Sequence, residues 1–255
     1  MIANKCGMII KTNIWRMNDL INEEMLELVK TEEELFDLWK KRRLVFCEDG
    51  ILNKEMYDKS EIKVLFALKD VNNLEVNRVK DEEMAVDGKS IDMKRVFRES
   101  DEKNERTWKP VFSWLKYLLH KESADEYFAF INLKKDEGLG SVGFSTLQQY
   151  AQRDADLIRK QIELIAPDLI ISCGRDVFEC LCKNVFNEQS QNVSKLFNND
   201  DRLDYGKMIS VKNGDKITHI VEYHHPTARV NQSYSEEEHI HNMDVIREKL
   251  FGLDT

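Results

Sequence analysis

The chain has 255 residues and a formal net charge of −9, and 42 % of its residues are hydrophobic. With only 10 glycines and 3 prolines, this composition excludes a disordered or fibrous chain and allows a buried core. The negative charge counts against a general affinity for polyanions, so binding of nucleic acid would require a local group of cations. No apolar run approaches the ~20 residues of a membrane span. The amino terminus has no signal-peptide pattern, and we expect a soluble cytoplasmic protein.

Two helices are predicted near the amino terminus. The stretch TEEELFDLWKKRR begins with a capping box, formed by Thr31 and Glu34, and continues with apolar residues at helical spacing. The preceding NDLINEEMLELVK has a similar pattern. Cations at 40–43 are expected to form a solvated helix end. We therefore expect an N-terminal helical segment (1–45) that packs on a single globular α/β unit (46–255).

Strand patterns alternate with helical patterns along the rest of the chain. The strand-like segments are IKVLFALKD, EYFAFINLKK, PDLIISCG, and the pair KMISVK and HIVEYHHP, which the Asn213-Gly214 turn predicts to be a hairpin. The helical segments between them are KPVFSWLKYLLH, STLQQYAQRDADLIRKQIELIA and DVFECLCKNVF. This alternation predicts an α/β fold with three layers (α/β/α) around a central, mostly parallel four-stranded twisted sheet.

Two further segments lie outside this alternation. The polar stretch from Asn72 to Arg106 has weak periodicity, and we expect a long functional or mobile loop there. The segment SEEEHIHNMDVIREKLFG predicts a final capped helix that ends at Gly252. The five cysteines form no CxxC pair and have no matching histidines, so neither a disulfide scaffold nor a metal site is expected.

Polar residues follow the predicted strands at the points where ligands bind in open α/β sheets. Asp70 ends the first strand, Asn132 lies near the end of the second, Arg175 follows the third, and His225 follows the last. These residue types suit cleavage of a nucleobase from its sugar. In that reaction a carboxylate can orient water, an amide can read a base edge and a histidine can donate to the leaving group. The chain contains no GxxxxGK[ST], GxSxG or HExxH motif.

The order and context of these segments resemble the uracil-DNA glycosylase superfamily. VLFALKDVNN resembles the family's first motif, a strand that ends in a Gly-Gln-Asp-Pro-Tyr or Gly-Glu-Ala-Pro-Gly type of turn, and HHPTAR resembles its second, a His-Pro-Ser turn. FINLKK resembles the middle strand that supplies an asparagine, and LIRKQIELIAPDLIISCG resembles the helix and strand before the second motif. The resemblance extends from Arg43 to Arg229. Leu68 replaces the first-motif glycine and Val71 its proline, which leaves the substrate open.

The resemblance implies roles for three residues. Asp70 would position the attacking water, and His225 would hydrogen-bond the carbonyl of the departing base. Asn132 would read the Watson–Crick edge of the flipped base. Without the resemblance, Asp70 also fits a loop cap, and Asn132 also fits a side chain that bonds neighbouring backbone.

The resemblance further implies residues that bind the base and the DNA. Trp108 or Phe112 would stack on the flipped base, and Asn72 stands where the family often has a base-excluding tyrosine or a glycine. Contacts with DNA phosphates or with a groove are expected from Thr227, Arg229, Lys134 and Arg175.

The expected function is that of a monofunctional DNA glycosylase that removes uracil or another altered pyrimidine and leaves an abasic site, in repair or in defence. One alternative is a glycosylase for a bulky hypermodified cytosine in foreign (phage) DNA. Another is a catalytically silent relative that binds nucleic acid or a protein. The expected partner is DNA with an altered base, and the protein is expected to act as a monomer. No cofactor or metal is expected, and the four cysteines of the iron-sulfur branches are missing.

Overall fold

The computed structural model describes residues 21–43, 46–72, 85–86, 90–99, 105–138, 142–188, 192–197, 205–227 and 235–253. Its strands are β1 (Phe46–Glu48), β2 (Gly50–Ile51), β3 (Val64–Asn72), β4 (Ala85–Val86), β5 (Ser90–Asp92), β6 (Phe128–Gly138), β7 (Leu169–Cys173), β8 (Ser194–Lys195), β9 (Lys207–Asn213) and β10 (Lys216–Tyr223). Its α-helices are α1 (Glu23–Leu28), α2 (Glu32–Arg42), α3 (Lys54–Asp58), α4 (Met93–Glu99), α5 (Glu105–Leu119), α6 (Phe144–Arg153), α7 (Ala155–Ile165), α8 (Arg175–Cys180) and α9 (Glu236–Phe251). A π-helix (Leu181–Val185) continues α8.

The central sheet has seven strands in the order β2-β6-β3-β7-β10-β9-β8. The four adjacent strands β6, β3, β7 and β10 are parallel, while β2, β9 and β8 pair antiparallel with their neighbours. The sheet is therefore mixed and seven-stranded, and the prediction of a mostly parallel, four-stranded sheet was wrong in both respects. The edge strands β2 and β8 have two residues each, which is too short for a recognisable alternation. A second sheet has the order β1-β5-β4.

Helices cover both faces of the central sheet, so the α/β class and the three layers are as predicted. Helices α2, α6, α7 and α8 pack on the face to which β3 contributes Leu65 and Ala67. Helices α4, α5 and α9 pack on the opposite face, which receives Val64, Phe66 and Leu68 of the same strand. The two sets alternate along β3, as the period of a strand buried on both sides requires.

Several local predictions are confirmed. The capping box of Thr31 and Glu34 is present at the start of α2, and Ser235 and Glu238 form another at the start of α9. Gly252 ends α9 in the left-handed conformation, at φ 64°. The hairpin of β9 and β10 is also present.

The long helix predicted over STLQQYAQRDADLIRKQIELIA is divided at Asp154 into α6 and α7. The carboxylate of Asp154 is fully buried and forms an ion pair with Arg43, and Arg42 binds Asp156 through two hydrogen bonds of 2.6 Å. The prediction that the cations at 40–43 are solvated was therefore wrong for Arg42 and Arg43, whose side chains are 4 % and 9 % exposed. A buried carboxylate requires such partners.

The prediction of a long loop from Asn72 to Arg106 was wrong for 85–86, 90–99 and 105–106, while 73–84, 87–89 and 100–104 lie outside the described residues. The described part of this stretch contains β4, β5, α4 and the beginning of α5. Ile91, Met93 and Phe97 are buried against the core. These apolar residues are too few and too widely spaced to give a periodic signal.

A buried charge joins the N-terminal elements to the central sheet. Asp49 lies between β1 and β2 and is fully buried. Its carboxylate accepts hydrogen bonds from the backbone and side-chain amides of Asn132, at 2.8 and 3.2 Å, and from Gln161 Nε2 at 3.1 Å. It also forms an ion pair with the ammonium of Lys135, which is 1 % exposed. Asp49 thereby connects β6 and α7 to the β1–β2 segment.

We predict that Asp49→Ala lowers the free energy of unfolding by about 3–5 kcal/mol, because it leaves the ammonium of Lys135 buried without its counter-ion. Urea denaturation followed by circular dichroism measures this change. The matched control is Lys54→Ala, which breaks an exposed ion pair with Asp58 and should cost less than about 1 kcal/mol. A loss from Asp49→Ala as small as that of the control would contradict this role of Asp49.

Candidate active site

The four parallel strands end at one edge of the sheet, called here the carboxyl edge. Asp70 of β3 lies opposite Lys134 of β6. Cys173 ends β7 opposite Tyr223, and the next N–H, that of Gly174, donates to the Tyr223 carbonyl at 2.9 Å. Asp70, the turn at Gly174 and His225, two residues beyond Tyr223, therefore lie at the carboxyl edge. The two residues that the sequence proposes as catalytic lie at the same edge of the sheet, with β7 between their strands.

Asp70 occupies an irregular position in its strand. A β-bulge follows it, because the partner residue shifts from Lys134 at Asp70 to Glu137 at Val71. Among the described residues, Oδ2 of Asp70 is buried and has no hydrogen-bond partner. Burial raises the pKa of Asp70, and the ammonium groups of Lys134 and Lys69 act in the opposite direction. Oδ2 is thus an acceptor that no described residue uses, and bulges of this kind are frequent beside active sites.

The ring of His225 is oriented by the turn that follows β10. Its Nδ1 lies 2.9 Å from Thr227 Oγ1 and accepts a hydrogen bond of 3.2 Å from the backbone N–H of Thr227. Because Nδ1 is the acceptor, the neutral ring carries its proton on Nε2. Burial lowers the pKa of His225 to about 4, and the charge of Lys69 contributes to the decrease. At neutral pH, His225 is therefore an uncharged N–H donor.

A cation beside Asp70 in the chain pairs with the neighbouring helix. The ammonium of Lys69 lies 2.5 Å from Oδ2 of Asp176, in the first turn of α8. The sequence assigned no role to either residue. Two positional signals could have indicated them. Lys69 directly precedes Asp70, and Asp176 is two residues after Gly174, the glycine that follows β7.

Two residues predicted to contact the substrate are held inside the protein. Asn132 is 3 % exposed, and its side-chain amide donates to Asp49. Lys134 is 6 % exposed, donates to the carbonyl of Asp136 at 2.9 Å, and lies 5.2 Å from the centre of the Tyr150 ring. The base-reading role of Asn132 and the phosphate contact of Lys134 therefore find no support in their positions. Asn132 is held by a partner 83 positions away, which the sequence pattern does not reveal, and Lys134 by the nearby carbonyl of Asp136 and the ring of Tyr150.

The aromatic residues proposed to stack on the base lie away from the carboxyl edge. Trp108 packs against Phe128 and Phe130, with ring centres 5.9 and 5.1 Å apart, and Phe112 packs against Phe128 at 6.3 Å. Phe130 pairs with Phe66 of β3, four residues before Asp70, which is a distance of ~13 Å along an extended strand. These two aromatics belong to the core beneath α5.

Tyr205 is an aromatic residue of the carboxyl edge that the sequence did not identify. Its ring is half-buried, and its centre lies 4.3 Å from that of the His224 ring. Burial raises the pKa of Tyr205, and Arg175 and Asp176 are among the charges that act on it, which places it beside the start of α8. Tyr205 lies outside every predicted strand and helix, so no sequence pattern indicated it.

The structure describes the side chains of only two of the remaining residues that were predicted to contact the base or the DNA. Arg175 begins α8 after Gly174, and its side chain is 59 % exposed at the carboxyl edge, where Nε lies 3.2 Å from Glu179 Oε1. Thr227 is exposed and orients the ring of His225. Asn72 ends β3, but its side chain lies outside the described part of the structure, as does Arg229 altogether.

No family model matches the chain, and no curated protein is similar to it at a significant level. Within the residues that the structure describes, no group of three or more His, Cys, Asp or Glu side chains could hold a metal ion. None of the described helices is long and apolar enough to cross a membrane. The function is therefore inferred from the residues of the carboxyl edge.

We predict that His225 carries its proton on Nε2 and takes up a second proton only near pH 4. Long-range ¹H–¹⁵N correlation spectra recorded between about pH 8 and pH 4 report both the tautomer and the titration. The folded protein should also lose stability as the pH falls from 6.5 towards 4, because the unfolded imidazole, with its ordinary pKa of 6.5, binds the proton first.

Thr227→Ala is the matched control for this prediction. It removes the hydroxyl group but keeps the backbone N–H that donates to Nδ1, so the Nε2-protonated form should persist. A proton on Nδ1 in the native protein, or a titration midpoint near 6.5, would contradict the prediction.

Proposed function

We propose that the protein is a DNA glycosylase that hydrolyses the N-glycosidic bond of a flipped uracil or other altered pyrimidine and leaves an abasic site. One observation carries the proposal: His225, whose Nδ1 accepts from the backbone N–H of Thr227, shares the carboxyl edge with Asp70, whose Oδ2 has no partner among the described residues. The resemblance of the surrounding segments to the two motifs of the uracil-DNA glycosylase superfamily supports it. So do the four parallel strands on which these segments lie.

His225 would act on the leaving group. As the glycosidic bond breaks, negative charge grows on a carbonyl oxygen of the departing base. A preorganised N–H donor stabilises such an anion by roughly 3 kcal/mol in comparable sites. Because the pKa of His225 is near 4, the ring would enter the reaction uncharged, and its Nδ1 would remain fixed by Thr227.

Asp70 would act on the sugar and on the water. The carboxylate would stabilise the positive charge that develops on the sugar ring, and its Oδ2 would accept a hydrogen bond from the attacking water. Partial burial strengthens both interactions, since charges attract more strongly in a medium of lower polarity. Lys134 and Lys69 favour the ionised form of Asp70 that these roles require.

The cost of extruding a base, a few kcal/mol, would be recovered at the carboxyl edge. Tyr205 offers a half-buried ring beside His224, and aromatic stacking contributes about 1–3 kcal/mol per base. The exposed guanidinium of Arg175 would contact a phosphate. Because the net charge of the chain is −9, we expect such local contacts to carry the DNA affinity.

The positions of the predicted base-binding residues favour two alternatives to a uracil-specific enzyme. Asn132, Trp108 and Phe112 are engaged in the interior. A glycosylase for a bulky hypermodified cytosine would not require Asn132 to read the Watson–Crick edge of uracil. A catalytically silent relative that binds nucleic acid or a protein would need none of the three residues.

We predict that the purified protein produces alkali-labile abasic sites in at least one labelled oligonucleotide of a panel with uracil, hypoxanthine, thymine opposite guanine, or modified cytosines. His225→Ala should reduce turnover by about 100- to 1,000-fold, because it removes the donor to the leaving group. Asp70→Asn should reduce turnover sharply and leave DNA affinity little changed, because it removes a charge that acts on the sugar cation.

The matched control is His219→Ala. His219 lies on β10 opposite Leu169, at the other end of the sheet, and its Nδ1 lies 2.9 Å from Ser210 Oγ. Its loss should leave turnover unchanged. If the folded protein yields no abasic site on any substrate, the glycosylase proposal fails. DNA binding that persists in the Asp70 and His225 double variant would then support the silent relative.

A further inference from the structure

The ion pair of Lys69 and Asp176 spans two strand ends at the carboxyl edge. Strands β3 and β7 are parallel neighbours with Ala67 opposite Ser172, so Lys69 is level with the turn at Gly174. From there its ammonium reaches Oδ2 of Asp176 in the first turn of α8, at 2.5 Å. The pair is partly shielded from solvent, since the two side chains are 27 % and 32 % exposed.

The strand geometry brings Lys69 close to both proposed catalytic groups. Successive side chains of a strand point to opposite faces, so Lys69 lies on the face covered by α8, and its neighbour Asp70 lies on the other. On the far side of β7, the N–H of Gly174 bonds the carbonyl of Tyr223, two residues before His225. Lys69 is thus next to Asp70 in the chain and is separated from the turn that carries His225 by one strand, β7.

We propose that Lys69, fixed in place by Asp176, is a positioning residue whose positive charge acts on both Asp70 and His225. This inference rests on the proposed function and extends it, because it assigns the protonation states of both catalytic groups to a single cation. The charge of Lys69 opposes the increase in the Asp70 pKa that burial causes, and it adds to the decrease in the His225 pKa. Both effects favour an ionised Asp70 and an uncharged His225.

Several other charged and titratable groups surround these residues in the described part of the chain, among them the buried carboxylate of Glu222 on β10, the phenol of Tyr205 and the thiol of Cys180 on α8. Lys134 on β6 acts on Asp70, and Arg175 and Asp176 lie at the start of α8. His224 lies directly after β10 and immediately before His225 in the chain. Lys134 contributes to the pKa of Asp70, whereas the charge of Lys69 contributes to the pKa of both Asp70 and His225.

Two substitutions should change this site in opposite directions. Lys69→Met removes the cation and leaves the carboxylate of Asp176, so the pKa values of Asp70 and His225 should both rise. Asp176→Asn keeps the cation and removes the charge that offsets it, so both pKa values should fall further. If the ion pair were merely structural, both variants would shift the two pKa values in the same direction, because each variant breaks the same contact.

The test measures the titration of His225 by NMR and the pH dependence of base excision in the same set of variants. In Lys69→Met, the His225 midpoint and the acid limb of the rate profile should both move to higher pH by about one pH unit, the size typical of one neighbouring charge. In Asp176→Asn, both should move to lower pH. Lys69→Arg keeps the charge and should restore the native values.

Lys59→Met is the control for the loss of a lysine elsewhere. Lys59 forms an exposed ion pair with Glu55 before the amino end of β3 and should affect neither measurement. Circular dichroism confirms that each variant is folded. A His225 midpoint that does not move in folded Lys69→Met, with base excision retained, would overturn the role of Lys69 and leave the glycosylase proposal intact. A midpoint that moves, in a protein that excises no base, would overturn the proposed reaction and leave the electrostatic role of Lys69 standing.

Discussion

Parallel pairing of β6, β3, β7 and β10 is the constraint on which the candidate site depends. In a parallel sheet, all carboxyl ends meet at one edge, so residues far apart in the chain become neighbours there. Asp70 and His225 are 155 positions apart, and only the order of the strands brings them to the same edge. The antiparallel strands at either side extend the sheet without changing this arrangement.

Buried ion pairs attach the surrounding helices to this sheet. Asp49 accepts hydrogen bonds from β6 and α7, and Asp154 receives Arg43 from the end of α2. A buried charge is stable only with its partners in good geometry, so these pairs favour one arrangement of helices over others with similar apolar contact. The same interactions explain why Asn132 is held inside the protein, because its amide belongs to the group around Asp49.

The carboxyl edge differs from the rest of this acidic chain in the way its charges are arranged. This edge carries the imidazole of His225 and the carboxylate of Asp70, whose Oδ2 is buried and has no partner among the described residues. It also carries the ammonium of Lys69, which is fixed by the carboxylate of Asp176. Each protonation state follows from burial and from the nearest charge. This combination suits a reaction in which positive charge develops on one fragment and negative charge on the other.

The sequence by itself determined the elements whose signals are local. The capping boxes at Thr31 and Ser235, the long buried strands and the hairpin depend on residues within a few positions of one another, and the α/β alternation follows from them. The positions of Asp70 near the end of β3 and of His225 just after β10 were also predictable from the strand pattern.

The tertiary structure alone decided which polar and aromatic side chains remain at the carboxyl edge. Asn132 bonds a residue 83 positions away, and Arg42 bonds one 114 positions away, so no local pattern could indicate that they are buried. Trp108 and Phe112 are aromatic residues of the kind that can stack on a base, yet the packing of α5 on the sheet places Trp108 in the core and Phe112 against it. Lys69 and Tyr205 gain their positions from α8 and β10, which approach them only when the sheet is assembled. The physical reason is the same in each case, because burial and charge pairing depend on partners that only the folded chain brings together.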